Sequence, residues 1–161
     1  MRYVIKEKLF QFVKDADITD ESGQMVYRVD HALLSLHQRV LLRDAAGNEV
    51  ASIQRRLIAL RPTFEITRGG QELAEVRQHL FTPFGDRFTV DIPGPHDFEI
   101  AGNFLEHEFT ISRDGAQVAT VSKRWLSLAG TYAVETAPGQ DDALLLACVL
   151  ALDLAEDSEH H

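Results

Sequence analysis

The chain has 161 residues, a single cysteine, 45% hydrophobic residues and a formal net charge of −9. That is the size of one compact domain, too apolar for disorder and without the thiols for an internal disulfide. An acidic total argues against general nucleic-acid binding, which draws its affinity from neutralising phosphates.

The charge is unevenly placed. Five acids and no Lys or Arg lie between Phe88 and Ser112, and seven acids and no Lys or Arg follow from Glu135 to the end, so the rest of the chain is net positive. Met1 to Val13 reads as a first strand, with Tyr3 and Ile5 alternating and then Leu9, Phe10 and Phe12. Its opening is charged and has no signal-peptide core, so a cytoplasmic location is expected.

Four hairpin signals follow, each with strand-like residues on both sides of a Gly-containing turn. They fall at Ile18 to Tyr27 around Gly23, at Arg43 to Leu60 around Gly47, at Ile66 to Leu80 around Gly69-Gly70, and at Arg113 to Leu128 around Gly115. Two are close copies: residues 50 to 60 align one for one with residues 118 to 128. Repetition at this spacing suggests a meander of hairpins.

Side chains two apart share a face of a strand. Ala51, Ile53, Leu57, Ala119, Val121, Trp125, Ala74, Val76 and Leu80 form the stripe expected to face the core. Ser52, Gln54, Arg56, Thr120, Ser122, Arg124, Glu75, Arg77 and His79 are expected to face solvent. Arg55, Lys123 and Gln78 interrupt the apolar stripe at one repeated place. A β-bulge or a snorkelling side chain at the barrel rim accounts for that better than a ring of polar groups at one mouth.

Asp91 to Asp97 carries Pro93 and Pro95, which cannot donate to a ladder, so pairing ends between Phe88-Thr89-Val90 and Phe98-Glu99-Ile100. Pro138-Gly139 marks the last turn, and Asp141 and Asp142 suit a helix start. Residues 143 to 152 are apolar without a polar break, so the helix from about Asp141 to Ala155 is expected to be buried on every side. That run rises about 15 Å against the about 30 Å of a bilayer core, which excludes a transmembrane span. Residues 1 to 156 read as a single domain of about a dozen short strands and this helix, and 157 to 161 as a disordered acidic and His tail.

No nucleophile elbow, phosphate loop or dinucleotide fingerprint is present, and no catalytic residue, cofactor or metal site is expected. Cys148 lies inside the apolar helix as a small hydrophobe. Glu106-His107-Glu108 reads as a solvated acidic strand whose His points away from both carboxylates. His31, His37, His79 and His96 show no ligand spacing. Trp125 is expected in the core.

Several segments resemble bacterial LURP-one-related proteins. They are Met1 to Phe10, Val26 to Asp30, Leu60 to Ile66, Asp91 to Pro95, Ala101 to Leu105, Ala119 to Trp125 and Asp141 to Leu144, in colinear order over roughly residues 1 to 156. The resemblance implies the tubby C-terminal-like fold, a closed antiparallel barrel of about twelve strands around a central buried C-terminal helix. Phospholipid scramblases share that superfamily. The resemblance supplies no reaction. It brings in lipid head groups only by analogy of fold, because the Lys and Arg pocket of tubby domains has no matching stretch here.

The expectation is therefore a non-catalytic binding or scaffold module, monomeric or weakly associated. Arg55, Arg56, Lys123 and Arg124 occupy equivalent positions in the two best repeats and form the candidate patch for anionic head groups. A second reading is a protein partner met by the acidic strands and loops between Asp91 and Glu108, and a third, ranked last, is an uncharacterised enzyme.

Overall fold

The computed structural model describes residues 1–7, 9–12, 15–32, 39–56, 61–79, 87–93, 96–125 and 129–159. In chain order the elements are β1 (Arg2–Lys6), α1 (Leu9–Phe12), β2 (Asp15–Asp20), β3 (Met25–Ala32), β4 (Arg39–Asp44), β5 (Glu49–Arg55), β6 (Thr63–Arg68) and β7 (Gln71–His79). Then come β8 (Arg87–Asp91), β9 (Glu99–Asn103), β10 (Glu108–Arg113), β11 (Ala116–Ser122), β12 (Thr131–Thr136) and α2 (Asp142–Glu159).

All 12 strands form one sheet, in the order β8-β7-β6-β5-β4-β3-β2-β1-β12-β11-β10-β9. The chain meanders between sequence neighbours except at one place, where β1 pairs antiparallel with β12 from Arg2↔Glu135 to Lys6↔Thr131. The two ends of the sheet meet at an isolated antiparallel bridge, Val90↔Phe98. The barrel is thus nearly closed, with a seam between β8 and β9.

The four expected hairpins are β2–β3, β4–β5, β6–β7 and β10–β11. Two share one geometry. The Asp44 carbonyl accepts the Gly47 N–H at 3.0 Å while the Asp44 N–H donates to the Asn48 carbonyl at 2.9 Å, and Asp20 does the same with Gly23 and Gln24. Gly47 and Gly23 sit at φ of 88° and 87°, the left-handed residue that ends a three-residue hairpin loop. Each Asp side chain locks its turn by accepting two backbone N–H groups. Both carboxyls are held below their ordinary pKa, Asp20 first by the Ser22 hydroxyl and Asp44 first by the Asn48 N–H.

The inward stripe is as expected wherever it is described, apart from Trp125. Ala51, Ile53, Ala74, Val76, Ala119 and Val121 are buried, while Leu57 and Leu80 lie outside the described residues. α2 runs through the middle of the barrel, packed on β5, β6, β7 and β12, and is buried from Ala143 to Ala155 except at Asp153. Among the described residues no helix is long and apolar enough to cross a membrane.

Asp141 is the N-cap: its side chain accepts the Leu144 N–H and its carbonyl the Leu145 N–H, both at 3.1 Å. The helix continues to Glu159, past residue 156, because no Gly or Pro stops it.

Four expectations need correction. Ser52 and Ser122, expected to face solvent, are each 4% exposed, their hydroxyls bonded to Arg39 and Glu108. The first strand stops at Lys6, and Leu9 and Phe10 are both buried. Adjacent residues cannot both point inward on a strand, and the turn α1 makes that possible. The register shifts lie beside the hairpin turns, between Ile18 and Thr19, Leu42 and Arg43, Ile66 and Thr67, and Ile111 and Ser112, and not at Arg55, Lys123 or Gln78. Trp125 is 38% exposed, because β11 ends at Ser122 and the alternation that pointed Trp125 inward ends with it.

Candidate binding surfaces

Strand direction gives the barrel two different ends. The tight hairpins and the start of α2 share one end. The connections after β1, β3, β5, β7, β9 and β11 share the other, where α2 emerges. Polar contacts hold α2 at both. At its start, the Tyr3 hydroxyl donates to Asp142, and Arg68 makes a two-pronged contact with Asp141 at 2.9 and 3.0 Å. At its far end, Asp153 accepts the Tyr132 hydroxyl on one oxygen and contacts His107 Nε2 at 2.8 Å on the other. Residues 142 and 153 are three turns apart and share a helix face. Tyr3 and Tyr132 come from the paired strands β1 and β12, so one seam of the barrel fixes the rotation of α2.

Burial, then the neighbouring Asp142 carboxylate, push the Tyr3 pKa up. Burial opposes ionisation of Asp141, but the Arg68 guanidinium and the Leu144 N–H outweigh it and hold the carboxyl below its ordinary value. Cys148 is fully buried, and burial pushes its thiol up to about 12, the state of an inert packing residue.

Glu106-His107-Glu108 is not one solvated strand. His107 ends a turn in which its N–H donates to the Phe104 carbonyl at 3.2 Å, with φ at 53° and 7% exposure. The ring stacks on Tyr132 with centroids 4.1 Å apart, and its Nδ1 lies 3.7 Å from Glu7. Sequence alternation missed this because the turn separates His107 from β9 and from the start of β10. Glu108 accepts the Ser122 hydroxyl at 2.7 Å and the Lys123 N–H at 3.0 Å, and these outweigh burial to lower its pKa. Among the described residues no group of His, Cys, Asp or Glu could hold a metal. His31 lies edge-on to Phe10, His96 pairs with Asp114, and His37 falls outside the described residues.

The four candidate basic residues do not share one patch. β5 and β11 are six steps apart in either direction round the ring, so Arg55-Arg56 and Lys123-Arg124 stand on opposite sides of the same rim. Arg56 is clamped between Glu65 and Glu75, and the guanidinium of Arg55 lies over the Phe64 ring at 6.0 Å. Lys123 holds Glu7 at 2.5 Å. Arg124 alone is left largely open, with 85% of its side chain exposed and Glu108 4.0 Å away. Beside it in sequence, the Trp125 ring lies on the outer wall, 4.7 Å from the Arg2 guanidinium.

The acidic stretch surrounds the β8–β9 seam. Asp97, Glu99 and Glu106 are exposed, and Asp91 is half-exposed with Arg77 at 3.9 Å. Asp97 accepts the Ile92 N–H at 2.9 Å, which ends β8 as the prolines foretold. The Phe98 N–H donates to the Val90 carbonyl at 3.2 Å, and Phe88 meets Phe104 edge-on at 4.8 Å. Gly102 has φ of 122°, and a Cβ there would stand 2.6 Å from the Glu108 carbonyl oxygen and 2.8 Å from the Phe109 Cα. Only glycine lets β9 press so closely on β10, on the side away from β8.

The LURP-one-related family model matches residues 1–153. The chain belongs to the LURP-one-related family. Among curated relatives it is 30% identical over 151 residues to the uncharacterized protein YxjI of Bacillus subtilis, covering 93% of this chain and 90% of that one. It is 26% identical over 172 residues to protein LURP-one-related 14 of Arabidopsis thaliana, covering 95% and 83%. An X-ray structure of an Arabidopsis thaliana protein superposes with a TM-score of 0.71 at 19% identity, over 96% of this chain and 90% of that one, which supports the fold alone. The family carries no assigned activity to bring to these surfaces.

Proposed function

We propose that this LURP-one-related protein is a non-catalytic binding module that meets a basic protein partner through the acidic surface around β8, β9 and the β9–β10 turn. The observation that carries the reading is α2: a barrel filled by its own helix leaves binding to the outside of the wall and to the loops. Among the described residues, Glu99 and Glu106 are exposed acids outside any ion pair, whereas three of the four candidate basic residues are engaged within the fold. Acidic surfaces of this kind steer and select basic partners.

Titration with polylysine at low and at physiological salt tests the reading. Salt-sensitive binding is expected, weakened by Glu99→Lys combined with Glu106→Lys at unchanged thermal stability. Binding that ignores both reversals refutes it.

A second reading rests on Arg124 beside Trp125, an exposed cation and an exposed aromatic that suit an anionic head group. Sedimentation with anionic and neutral vesicles at low salt tests it, and no difference between the two retires it. The net charge of −9 works against that reading, since the whole molecule is repelled by an anionic surface.

A further inference from the structure

The sheet is continuous everywhere except between β8 and β9. There the described residues contribute one backbone hydrogen bond, from Phe98 to Val90, and one isolated bridge. On an antiparallel strand, alternate residues direct both N–H and C=O to the same side. Phe98 faces β8, so Ile100 and Gly102 face it too, and the described residues make no further backbone hydrogen bond across the gap. β9 is also the most exposed strand, with Glu99, Ala101, Gly102 and Asn103 open to solvent and Ile100 half-buried. An edge of this kind templates another strand.

We propose that an extended basic segment of a partner protein adds here as a thirteenth strand, antiparallel to β9 and therefore parallel to β8. This rests on the acidic-surface reading above and states how the partner docks. Strand addition would exchange the single Phe98–Val90 bond for a ladder on β9, with main-chain bonds supplying affinity and alternate side chains supplying selectivity.

The alternation fixes the occupant's chemistry. Outward positions lie beside Glu99 and near Asp97, so they take Lys or Arg. Inward positions meet Ile100 and the Phe88–Phe104 ring pair, so they take aliphatic residues. From Phe88 to Ser112 the chain has no Lys or Arg; the cations nearest the seam are Arg113, 4.7 Å from the Phe98 ring, and Arg77, 3.9 Å from Asp91 on β8. A second copy of this acidic chain fits less well than a basic partner.

The probe is a labelled peptide of about nine residues alternating Lys and Val, the length of a long strand. Its control is the same peptide N-methylated on the residues whose N–H groups face β9. Fluorescence anisotropy at low salt gives the affinities, and amide hydrogen exchange gives the place. The plain peptide is expected to bind and to slow exchange at Ile100 and Gly102. The N-methylated peptide is expected to bind at least about tenfold more weakly, as loss of two or more hydrogen bonds requires. Glu99→Lys, an exposed change that leaves the core untouched, is expected to weaken the plain peptide. Equal binding of both peptides, still sensitive to Glu99→Lys, overturns strand addition and leaves the acidic-surface reading standing. No binding of the plain peptide at low salt overturns both.

Discussion

Replacing Leu150 by Ala tests whether α2 is the centre of the barrel. Leu150 is fully buried, with Leu146 and Leu154 equally buried a turn away on either side. Truncation loses about 2.4 kcal/mol of transfer free energy at about 0.8 kcal/mol per methylene. A cavity term adds to this, and it is large where surroundings cannot collapse. Strands hydrogen-bonded to one another surround α2, so the wall cannot move in at one point without breaking a ladder. The expected loss is therefore about 3.5 to 5 kcal/mol, in the upper part of the range for such substitutions. Against a total stability of about 5 to 15 kcal/mol, that is a large fraction. Urea unfolding followed by far-ultraviolet circular dichroism should show a lower midpoint at unchanged m-value. Leu105→Ala, at a side chain 56% exposed, should cost less than about 0.5 kcal/mol. If Leu150→Ala costs no more than Leu105→Ala, α2 does not fill the core and the architecture is wrong.

Three further outcomes are expected. Asp141 has a lowered carboxyl pKa in the folded state, so its stabilisation is present above the ordinary carboxylate range, near pH 4, and is lost as pH falls through the folded value. Asp141→Asn should flatten the acid side of the stability profile in urea titrations at pH 3 and 7, and an unchanged slope would contradict the Arg68 contact. Tyr3 has a raised pKa, so its stabilisation is present below about pH 10 and is lost as pH rises beyond it. Tyr3→Phe should lower stability at pH 8 yet reduce the further loss at pH 11, and equal losses in both proteins would count against the Tyr3–Asp142 bond. Gly47→Ala, at φ of 88° with nothing near the new methyl, should cost about 1 kcal/mol by thermal unfolding. Gly102→Ala should cost clearly more, because its methyl meets β10 backbone at 2.6 Å. Equal costs would mean that β9 and β10 do not approach as described.

The barrel was readable because two patterns in the sequence are local. A run of apolar residues from 143 to 152 has one low-energy solution in a chain this size, and period-two alternation around Gly-containing turns has another. The surfaces were less readable because they are assembled from afar. His107 meets Asp153 and Glu7 only after the ring closes, and nothing in the triplet around it announces a turn. Trp125 follows three residues after its strand has ended, where alternation no longer indicates a face. Arg55-Arg56 and Lys123-Arg124 are equivalent in sequence, and that equivalence is what parts them. Corresponding strands of a repeated meander fall on opposite sides of the ring. The β8–β9 seam had a partial signal in Pro93, which marks where pairing ends without telling which strands are left facing one another.

The order of the elements also governs how the protein is made. The filling of the barrel is encoded after its wall, so a growing chain carries twelve strands before the helix they enclose has left the ribosome. The first strand must wait for the last, since β1 closes on β12 across most of the chain, and pairings so distant in sequence form slowly. Until then the inward stripes of every hairpin are bare. Nascent chains short of residue 143 should therefore depend on chaperones, and folding should be completed as one late, cooperative event when α2 arrives.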